Sequence, residues 1–346
     1  MNTRDAIARL LEGRDLSEAE ASEVVGEVMD GGATPAQIGA LLVLLRKKGE
    51  TVDELTGAAR AMRDKVTRVR CERPAVLDTC GTGGDGGGTF NISTAAGLVA
   101  AAAGCTVAKH GNRAMSGAVG GADVLERLGV RIDLEPADTE ALLAETRFAF
   151  LFAPLLHGAM RHAAGPRREL GVRTMFNLLG PLTNPAGARH HLLGVFDRVW
   201  VEPVAEVLRR LGSVHALVVH GDDGLDEITT TATTEVAELR GGTVRRLRLA
   251  PEELGLARAR PEDLRIGGAA ESAELIGRIL GGETGPPRDV VLLNAGAAIY
   301  AADLVSSIAA GIERARQAID DGSARALLDR VARASRRPAS ADSEPA

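Results

Sequence analysis

The residues best suited to chemistry lie in a glycine-rich segment that runs from Asp78 to Thr94 and reads DTCGTGGDGGGTFNIST. Its glycines allow backbone N–H groups to approach an anion without interference from a Cβ atom. A predicted helix follows, whose N-terminus adds unpaired donors and partial positive charge. Asn91 and Ser93 place short polar side chains there. The pattern predicts a cradle for phosphate or pyrophosphate, and the alternative is a flexible surface turn in which Asn91 only caps the helix.

A second segment of this kind, KHGNRAMSG, spans Lys109 to Gly117 and directly follows a short apolar run. Lys109 and Arg113 supply positive charge, and Asn112 supplies hydrogen bonds. The glycine-rich segment at 78–94 does not match the P-loop pattern G-x-x-x-x-G-K-[ST]. It also does not match a dinucleotide-binding loop, which would have an acidic residue about 20 positions later. Two such loops after successive strands would meet at one edge of a parallel sheet, where ligands usually bind. For His110, a structural hydrogen bond is a simpler interpretation than catalysis.

Two further segments carry charge. The acidic run DDGLDE, from Asp222 to Glu227, follows an apolar stretch, and adjacent carboxylates on a loop suit a hard cation such as Mg²⁺. The alternative is a solvated acidic turn. The region from His157 to Asn184 contains several arginines, and one of them could bind a carboxylate through two parallel hydrogen bonds. A surface arginine on a helix is the simpler interpretation of any one of them.

The elements that must position these segments fall into two groups. The N-terminal part reads as helices, with capping boxes at Ser17 and Thr51 and a helix start at Thr34-Pro35. The helix containing Ile38–Leu45 is apolar nearly all round, so we expect it to pack on the rest of the chain, on another subunit, or on both. From Pro74 onward, short strands alternate with helices, which predicts βαβ units and a mainly parallel sheet. The predicted strands are 75–80, 106–109, 148–153, 190–196 and 215–220, with a hairpin in 230–249, and the predicted helices are 91–103, 122–128, 139–145, 201–211, 270–280 and 295–320.

The fold class predicted is α/β, with a small helical domain at 1–72, a larger α/β domain at 73–334 and a disordered tail at 335–346. Helices from about 168–185 are expected to join the helical domain. The net charge of -6 and pI of about 5.8 give no basic footprint for nucleic acid. Three cysteines without metal-type spacing indicate reduced thiols. With no signal peptide and no run of apolar residues long enough for a membrane, we expect a cytoplasmic protein.

Taken together, the motifs resemble the anthranilate phosphoribosyltransferase family. The matching pieces are DTCGTGGDGGGTFNIST, AKHGNR, ADVLERLG, FLFAP, RRELGVRTMFNLLGPLTNPAG, HGDDGLDEIT and LNAGAAIYAAD, in the family's order over almost the whole chain. The resemblance implies a fold of the nucleoside phosphorylase and phosphoribosyltransferase type and a homodimer through the helical domain. It also implies that anthranilate and phosphoribosyl pyrophosphate (PRPP) react with Mg²⁺ to give N-(5-phosphoribosyl)anthranilate and pyrophosphate in tryptophan biosynthesis.

The resemblance also assigns roles to residues. The catalytic residues would be Lys109, Asn112 and Arg167, of which Asn112 and Arg167 would contact anthranilate. The metal would be held by Ser93, Asp226 and Glu227. The substrate site would comprise Gly81, Gly84, Asp85, Thr89, Asn91, Ile92, Ser93, Thr94, Lys109, His110, Gly111, Asn112, Arg113, Ala114, Met115, Ser116, Gly117, Gly121 and Arg167.

Three positions depart from the family pattern. The family often has Lys or Arg at the position of Ala118, Ser at Gly121, and Pro at Gly158. Because the cation is missing at Ala118 and the hydroxyl at Gly121, we expect weaker diphosphate binding. Other interpretations are a phosphoribosyltransferase for another aromatic acceptor, a nucleoside phosphorylase, or a non-catalytic relative that binds nucleic acid. The intact Lys109, Asp226 and Glu227 and the acidic charge balance argue against the last.

Overall fold

The N-terminal part of the chain is a bundle of four helices. The computed structural model describes residues 1–83, 88–113 and 119–337. The bundle comprises α1 (Thr3–Leu11), α2 (Glu18–Met29), α3 (Pro35–Lys48) and α4 (Val52–Lys65). Helices α2, α3 and α4 each begin at a capping box, in which the hydroxyl of Ser17, Thr34 or Thr51 accepts the N–H three residues on. The helix starts predicted at these three residues are confirmed.

One seven-stranded sheet, in the order β3-β2-β1-β4-β5-β6-β7, organises the rest of the described chain. The strands from β3 to β5 pair in parallel, and β6 and β7 pair antiparallel, which confirms the mainly parallel sheet and the predicted hairpin. The segments that follow β1, β2, β4 and β5 therefore leave from the same edge. The strands are β1 (Val76–Thr79), β2 (Thr106–Gly111), β3 (Phe148–Phe152), β4 (His190–Gly194), β5 (His215–Gly221), β6 (Thr234–Arg240) and β7 (Thr243–Leu249).

Helices connect the strands and cover the sheet. They are α5 (Ile92–Ala102), α6 (Gly121–Arg127), α7 (Pro136–Thr146), α8 (Ala153–Leu156), α9 (Arg161–Leu170), α10 (Met175–Leu179), α11 (Val201–Arg210), α12 (Ala269–Leu280), α13 (Pro286–Ala301), α14 (Ile308–Asp320) and α15 (Ser323–Ala334). Within the described ranges, no helix is long and apolar enough to cross a membrane.

The single helix predicted over 295–320 is wrong. Helix α13 begins earlier, at Pro286, and ends at Ala301. The chain then turns through Asp303, whose φ of 57° is left-handed, and α14 starts where the Ser307 hydroxyl accepts the Ala310 N–H. The apolar pattern continues across this break because both helices bury a face in the same core. The break therefore cannot be recognised from the periodicity alone. Helix α15 was not predicted.

Two large hydrophobic cores lie on opposite faces of the sheet, and a third, smaller one packs α7 against β2 and β3. One packs α5, α12, α13, α14 and α15 against the strands. The other joins the helical bundle to α10 and α11, where Leu42 and Leu55 belong to the same cluster as Met175 and Leu208. The short helices thus pack on the rest of the chain, as predicted. Val43 is 44% exposed, so one side of α3 is not covered by the rest of this single chain.

Candidate functional site

The first glycine-rich turn leaves β1 and lies against the acidic turn after β5. The N–H of Gly83 donates to Asp226 Oδ2 at 2.7 Å, and the N–H of Thr82 donates to the carbonyl of Gly194 at 2.9 Å. A Cβ atom at Gly81 would lie 2.5 Å from Asp226 Oδ2, so any larger residue would displace this carboxylate from the turn. Two predicted substrate residues in this turn, Gly84 and Asp85, lie outside the described residues.

The start of α5 supplies polar groups next to this turn. Asn91 is the N-cap, and its Oδ1 accepts the N–H of Thr94 at 3.1 Å. Thr79 Oγ1 donates to the carbonyl of Ser93 at 3.2 Å, which joins the helix start to the end of β1. The hydroxyl of Thr94 is buried without a hydrogen-bond partner among the described residues. A buried hydroxyl of this kind is costly unless a water or ligand satisfies it.

Lys109 brings the first two segments together. Its side chain extends from β2, only 3% exposed, and Nζ donates to Ser93 Oγ at 3.1 Å and to the carbonyl of Thr79. A buried ammonium is stable only when it is well hydrogen-bonded or faces negative charge. The lysine therefore fixes a positive charge at the junction of β1, β2 and the start of α5.

Asp78 is the buried carboxylate beneath this lysine. Its Oδ1 accepts the N–H of His110 at 3.0 Å, and its Oδ2 accepts Nδ2 of Asn184 at 2.7 Å. Burial raises the pKa of Asp78 to about 6, while Asn184, Lys109 and the N–H of His110 oppose that rise. This aspartate was not singled out from sequence, because a short polar residue inside an apolar strand carries no periodic signal of its partners.

Two neighbouring histidines, His110 and His157, are held neutral by burial. His110 Nδ1 lies 3.1 Å from the carbonyl of Gly180, and His110 Nε2 lies 3.1 Å from His157 Nε2. Burial lowers the pKa of His110 to about 3 and that of His157 to about 4. Because a carbonyl can only accept, Nδ1 of His110 carries its proton, and its Nε2 is then the acceptor of the pair.

The acidic turn divides into carboxylates engaged with the protein and carboxylates that face the glycine-rich turn. Asp222 pairs with Arg198 and Arg248, and Asp223 accepts from Thr229 at 2.7 Å. Asp226 instead meets Gly83, as described above. Burial raises the pKa of the Cys80 thiol, and the charges of Asp78, Asp226 and Glu227 act in the same direction. Asp226 and Glu227 therefore both place charge beside the turn that follows β1.

Three predicted metal residues with oxygen-bearing side chains, Ser93, Asp226 and Glu227, lie near this edge. The described ranges contain no group of three or more His, Cys, Asp or Glu side chains arranged to hold a metal ion. A Mg²⁺ ion typically takes one or two carboxylates and completes its shell with water and phosphate oxygens. The donor set fits a metal that arrives with its phosphate ligand.

The residues after Lys109 differ in what they contact. Arg113 is held by Asp123 at 3.0 Å and by Glu126 at 2.6 Å, so its charge is paired on α6. Asn112 is exposed, and its Oδ1 accepts the N–H of Arg113 at 2.7 Å. At Gly111, a Cβ atom would lie 2.7 Å from the ring of Phe150, so only glycine fits there. The predicted substrate residues Ala114, Met115, Ser116 and Gly117, and the departing Ala118, lie outside the described residues.

Two other predicted substrate residues, Ile92 and Thr89, make their described contacts away from Lys109. Ile92 is a core residue, 1% exposed, and its N–H donates to the carbonyl of Phe90. Thr89 forms an isolated antiparallel bridge with Arg265. Neither offers a side-chain group to the cluster around Lys109 in the described contacts.

Gly121 begins α6 beside the unpartnered Thr94. A Cβ atom at Gly121 would lie 3.3 Å from Thr94 Oγ1, 3.5 Å from the Phe150 ring and 3.8 Å from Lys109 Cε. Gly121, where the family resemblance leads us to expect a serine, is therefore adjacent to both a buried hydroxyl and the buried lysine.

Arg167 lies on α9 with its guanidinium 5.2 Å from the centre of the Phe176 ring. Its guanidinium has no hydrogen bond or ion pair with any described residue. Burial lowers the pKa of Arg167, although a guanidinium stays charged in proteins. An incompletely exposed arginine without a carboxylate partner is suited to binding an anionic group.

Comparison with known proteins places these features in a family. The chain matches the helical bundle domain of a glycosyl transferase family over residues 4–66 and its a/b domain over residues 73–325. It is 55% identical to anthranilate phosphoribosyltransferase of Thioalkalivibrio sulfidiphilus, over 96% of this chain and 98% of that protein. It is 53% identical to the enzyme of the same name from Methylococcus capsulatus, over 97% and 98%.

Solved structures agree with the sequence comparison. The crystal structure of anthranilate phosphoribosyltransferase from Thermus thermophilus superposes with a TM-score of 0.91 and 47% identity, covering 96% of this chain and 100% of that one. The Saccharomyces cerevisiae enzyme in complex with PRPP and Mg superposes with a TM-score of 0.88 and 25% identity, covering 96% and 97%.

Proposed function

The chain belongs to the anthranilate phosphoribosyltransferases of this glycosyl transferase family, and from that membership we propose its reaction. The phosphoribosyl group of PRPP is transferred to the amine nitrogen of anthranilate. The bond from C1 of the ribose to pyrophosphate breaks, a bond from C1 to nitrogen forms, and the nitrogen loses a proton. This is a step of tryptophan biosynthesis.

The contact between Lys109 Nζ and Ser93 Oγ, at 3.1 Å, is the observation that carries the proposal. It joins the two loops that would bind the diphosphate, and the Gly83–Asp226 hydrogen bond joins the first of them to the acidic turn. Positive charge and backbone N–H groups gathered at one edge stabilise the negative charge that develops on departing pyrophosphate. We assign Gly81, Asn91, Ser93, Thr94 and Lys109 to this subsite.

We assign the metal to Ser93, Asp226 and Glu227. The S. cerevisiae relative has been seen in complex with PRPP and Mg. Mg²⁺ bound at these three residues would neutralise negative charge on the pyrophosphate as it leaves. The lack of a complete protein ligand set among the described residues supports an ion that enters with PRPP.

The acceptor subsite is assigned to Arg167 and Asn112. A guanidinium without a carboxylate partner matches the carboxylate of anthranilate, and the S. cerevisiae relative has been seen with 4-fluoroanthranilate. The amine of anthranilate is neutral at pH 7 with a usable lone pair, so no strong general base is needed. The neutral histidines His110 and His157 are consistent with that, and positioning of the two substrates supplies much of the rate.

Three further assignments concern the domain bounds, the oligomeric state and the cellular location. We propose that residues 1–72 form the helical domain, with residues 73–334 as the α/β domain, and that the protein is a cytoplasmic homodimer through its helices. Exposed apolar side chains of the bundle, Leu11 at 70% and Val43 at 44%, support that interface. Light scattering on the purified protein, compared with Val43→Asp, tests the dimer: a monomeric wild type would reject it.

A direct assay tests the proposed reaction. Purified protein is mixed with anthranilate, PRPP and Mg²⁺, and the loss of anthranilate fluorescence is followed together with released pyrophosphate. One pyrophosphate per anthranilate consumed is the expected result. Reactions with other aromatic amines and heterocycles in place of anthranilate test the second candidate, a different acceptor. If one of these is consumed and anthranilate is not, the acceptor assignment is wrong.

A further inference from the structure

Arg167 is oriented by an aromatic ring instead of by a carboxylate. Its Cζ lies 5.2 Å from the ring centre of Phe176, and no described residue makes a hydrogen bond or ion pair with its guanidinium. A guanidinium over an aromatic face is attracted by the ring quadrupole, and stacking leaves the N–H groups at its edge available to other partners.

The ring itself is fixed. Phe176 is 6% exposed and belongs to the core shared by the helical bundle and α10. At the start of its helix, the N–H of Thr174 donates to Oδ1 of Asn177 at 3.0 Å. A few residues later, the carbonyl of Gly180 accepts a hydrogen bond from Nδ1 of His110 at 3.1 Å. The platform under Arg167 is therefore connected to the strand that carries Lys109 and His110.

We propose that Phe176 is a positioning residue for acceptor specificity: its ring holds the guanidinium of Arg167 in the orientation that receives the carboxylate of the acceptor. The inference rests on the proposed function and deepens it. An arginine without this ring would sample several rotamers, and each productive encounter with anthranilate would then require ordering of the side chain.

Replacement of the ring by an aliphatic group of similar size separates this role from simple packing. In Phe176→Leu, we expect kcat/KM for anthranilate to fall about fivefold, since a cation–π contact at a partly exposed site contributes a factor of this order. KM for PRPP should stay within about twofold. Phe176→Tyr keeps the aromatic face and should retain the wild-type kcat/KM for anthranilate. Phe176→Met is a second ring-free variant, should Leu fold poorly.

Phe152→Leu is the matched control. Arg113 also lies over a ring, 5.7 Å from the centre of Phe152, but Asp123 and Glu126 hold its guanidinium independently. Loss of that ring should leave the ratio of the two substrate KM values unchanged.

A double-mutant cycle with Arg167→Gln decides between positioning and packing. If the ring acts through Arg167, Phe176→Leu has no further effect on kcat/KM for anthranilate once the guanidinium is gone. An equal loss in both backgrounds, or a wild-type value in Phe176→Leu, overturns the inference while the proposed reaction stands. A wild-type enzyme that does not consume anthranilate overturns both.

Discussion

The side-chain amide of Asn184 donates to Oδ2 of Asp78 at 2.7 Å, below the edge of the sheet where the substrates would bind. The same amide donates to the carbonyl of Ala108 at 2.8 Å, and the other oxygen of Asp78 accepts the N–H of His110. One buried pair thus connects three segments that are far apart in sequence. It fixes the backbone on both sides of Lys109, whose charge faces the same carboxylate.

Loss of this pair should be costly. Asn184→Ala leaves a buried carboxylate oxygen and a buried carbonyl without their donor, so we expect the free energy of unfolding to fall by about 2 to 4 kcal/mol. We also expect kcat/KM to fall, because the segment at 108–110 loses its support. Urea denaturation and steady-state kinetics measure the two effects. Asn2→Ala, at the exposed N-cap of α1, is the control and should cost about 1 kcal/mol or less with unchanged kinetics. Equal losses in the two variants would contradict the account.

Ionisation of Asp78 should appear in the pH dependence of activity. Its pKa of about 6 means that the carboxylate opposite Lys109 is lost as the pH falls through this value. The wild type should lose kcat/KM below about pH 6, whereas Asp78→Asn cannot titrate there. The phosphates of PRPP also titrate near this pH, but they do so equally for both enzymes. The ratio of variant to wild-type kcat/KM should therefore rise between pH 7.5 and 5.5, and a constant ratio would remove Asp78 from this role.

The buried histidines should make the fold sensitive to acid. His157 has a folded-state pKa of about 4 against an ordinary 6.5, so between these values the unfolded chain binds a proton that the folded chain does not. Its contribution to stability is complete above pH 6.5 and is lost as the pH falls toward 4. From pH 7.5 to 5.0 this amounts to about 2 kcal/mol. Asp78 acts in the opposite direction, because its pKa is raised.

His157→Gln tests this linkage. The variant lacks the titration, so its free energy of unfolding should fall less than that of the wild type when the pH is lowered from 7.5 to 5.0. Denaturant unfolding at the two pH values gives the difference directly. Parallel losses in both proteins would show that His157 does not titrate as its surroundings indicate.

Much of this arrangement follows from local sequence rules, and the rest depends on distant contacts. The capping boxes and the order of strands and loops are local, so the meeting of Lys109 with Ser93 could be expected from two loops after adjacent parallel strands. The Asp78–Asn184 pair joins positions 106 residues apart, and no periodicity marks it. The pairing of Arg113 with α6 was missed for the same reason, since a basic residue in an anion-type loop does not show which carboxylates fold back onto it.

Serine at position 121 should strengthen PRPP binding. The added Cβ lies 3.3 Å from Thr94 Oγ1, and the hydroxyl would give that buried group a partner and the diphosphate another donor. We expect KM for PRPP to fall about threefold to tenfold, the effect of one additional hydrogen bond to a charged group. Gly121→Ala adds the same crowding without the hydroxyl and is the control. A serine variant no better than the alanine variant would reject the predicted weakness of the diphosphate site.

The central claim is that the turns after β1, β2 and β5 close around one metal-bound diphosphate. The most direct measurement is the Kd of PRPP by calorimetry, with and without Mg²⁺, in the wild type and in Asp226→Asn combined with Glu227→Gln. Asp222→Asn neutralises a neighbouring carboxylate that pairs with Arg198 and Arg248, and is the control. The account predicts that Mg²⁺ tightens PRPP binding in the wild type and the control, and that this tightening disappears in the folded double variant. A double variant that keeps the full Mg²⁺ effect would contradict it.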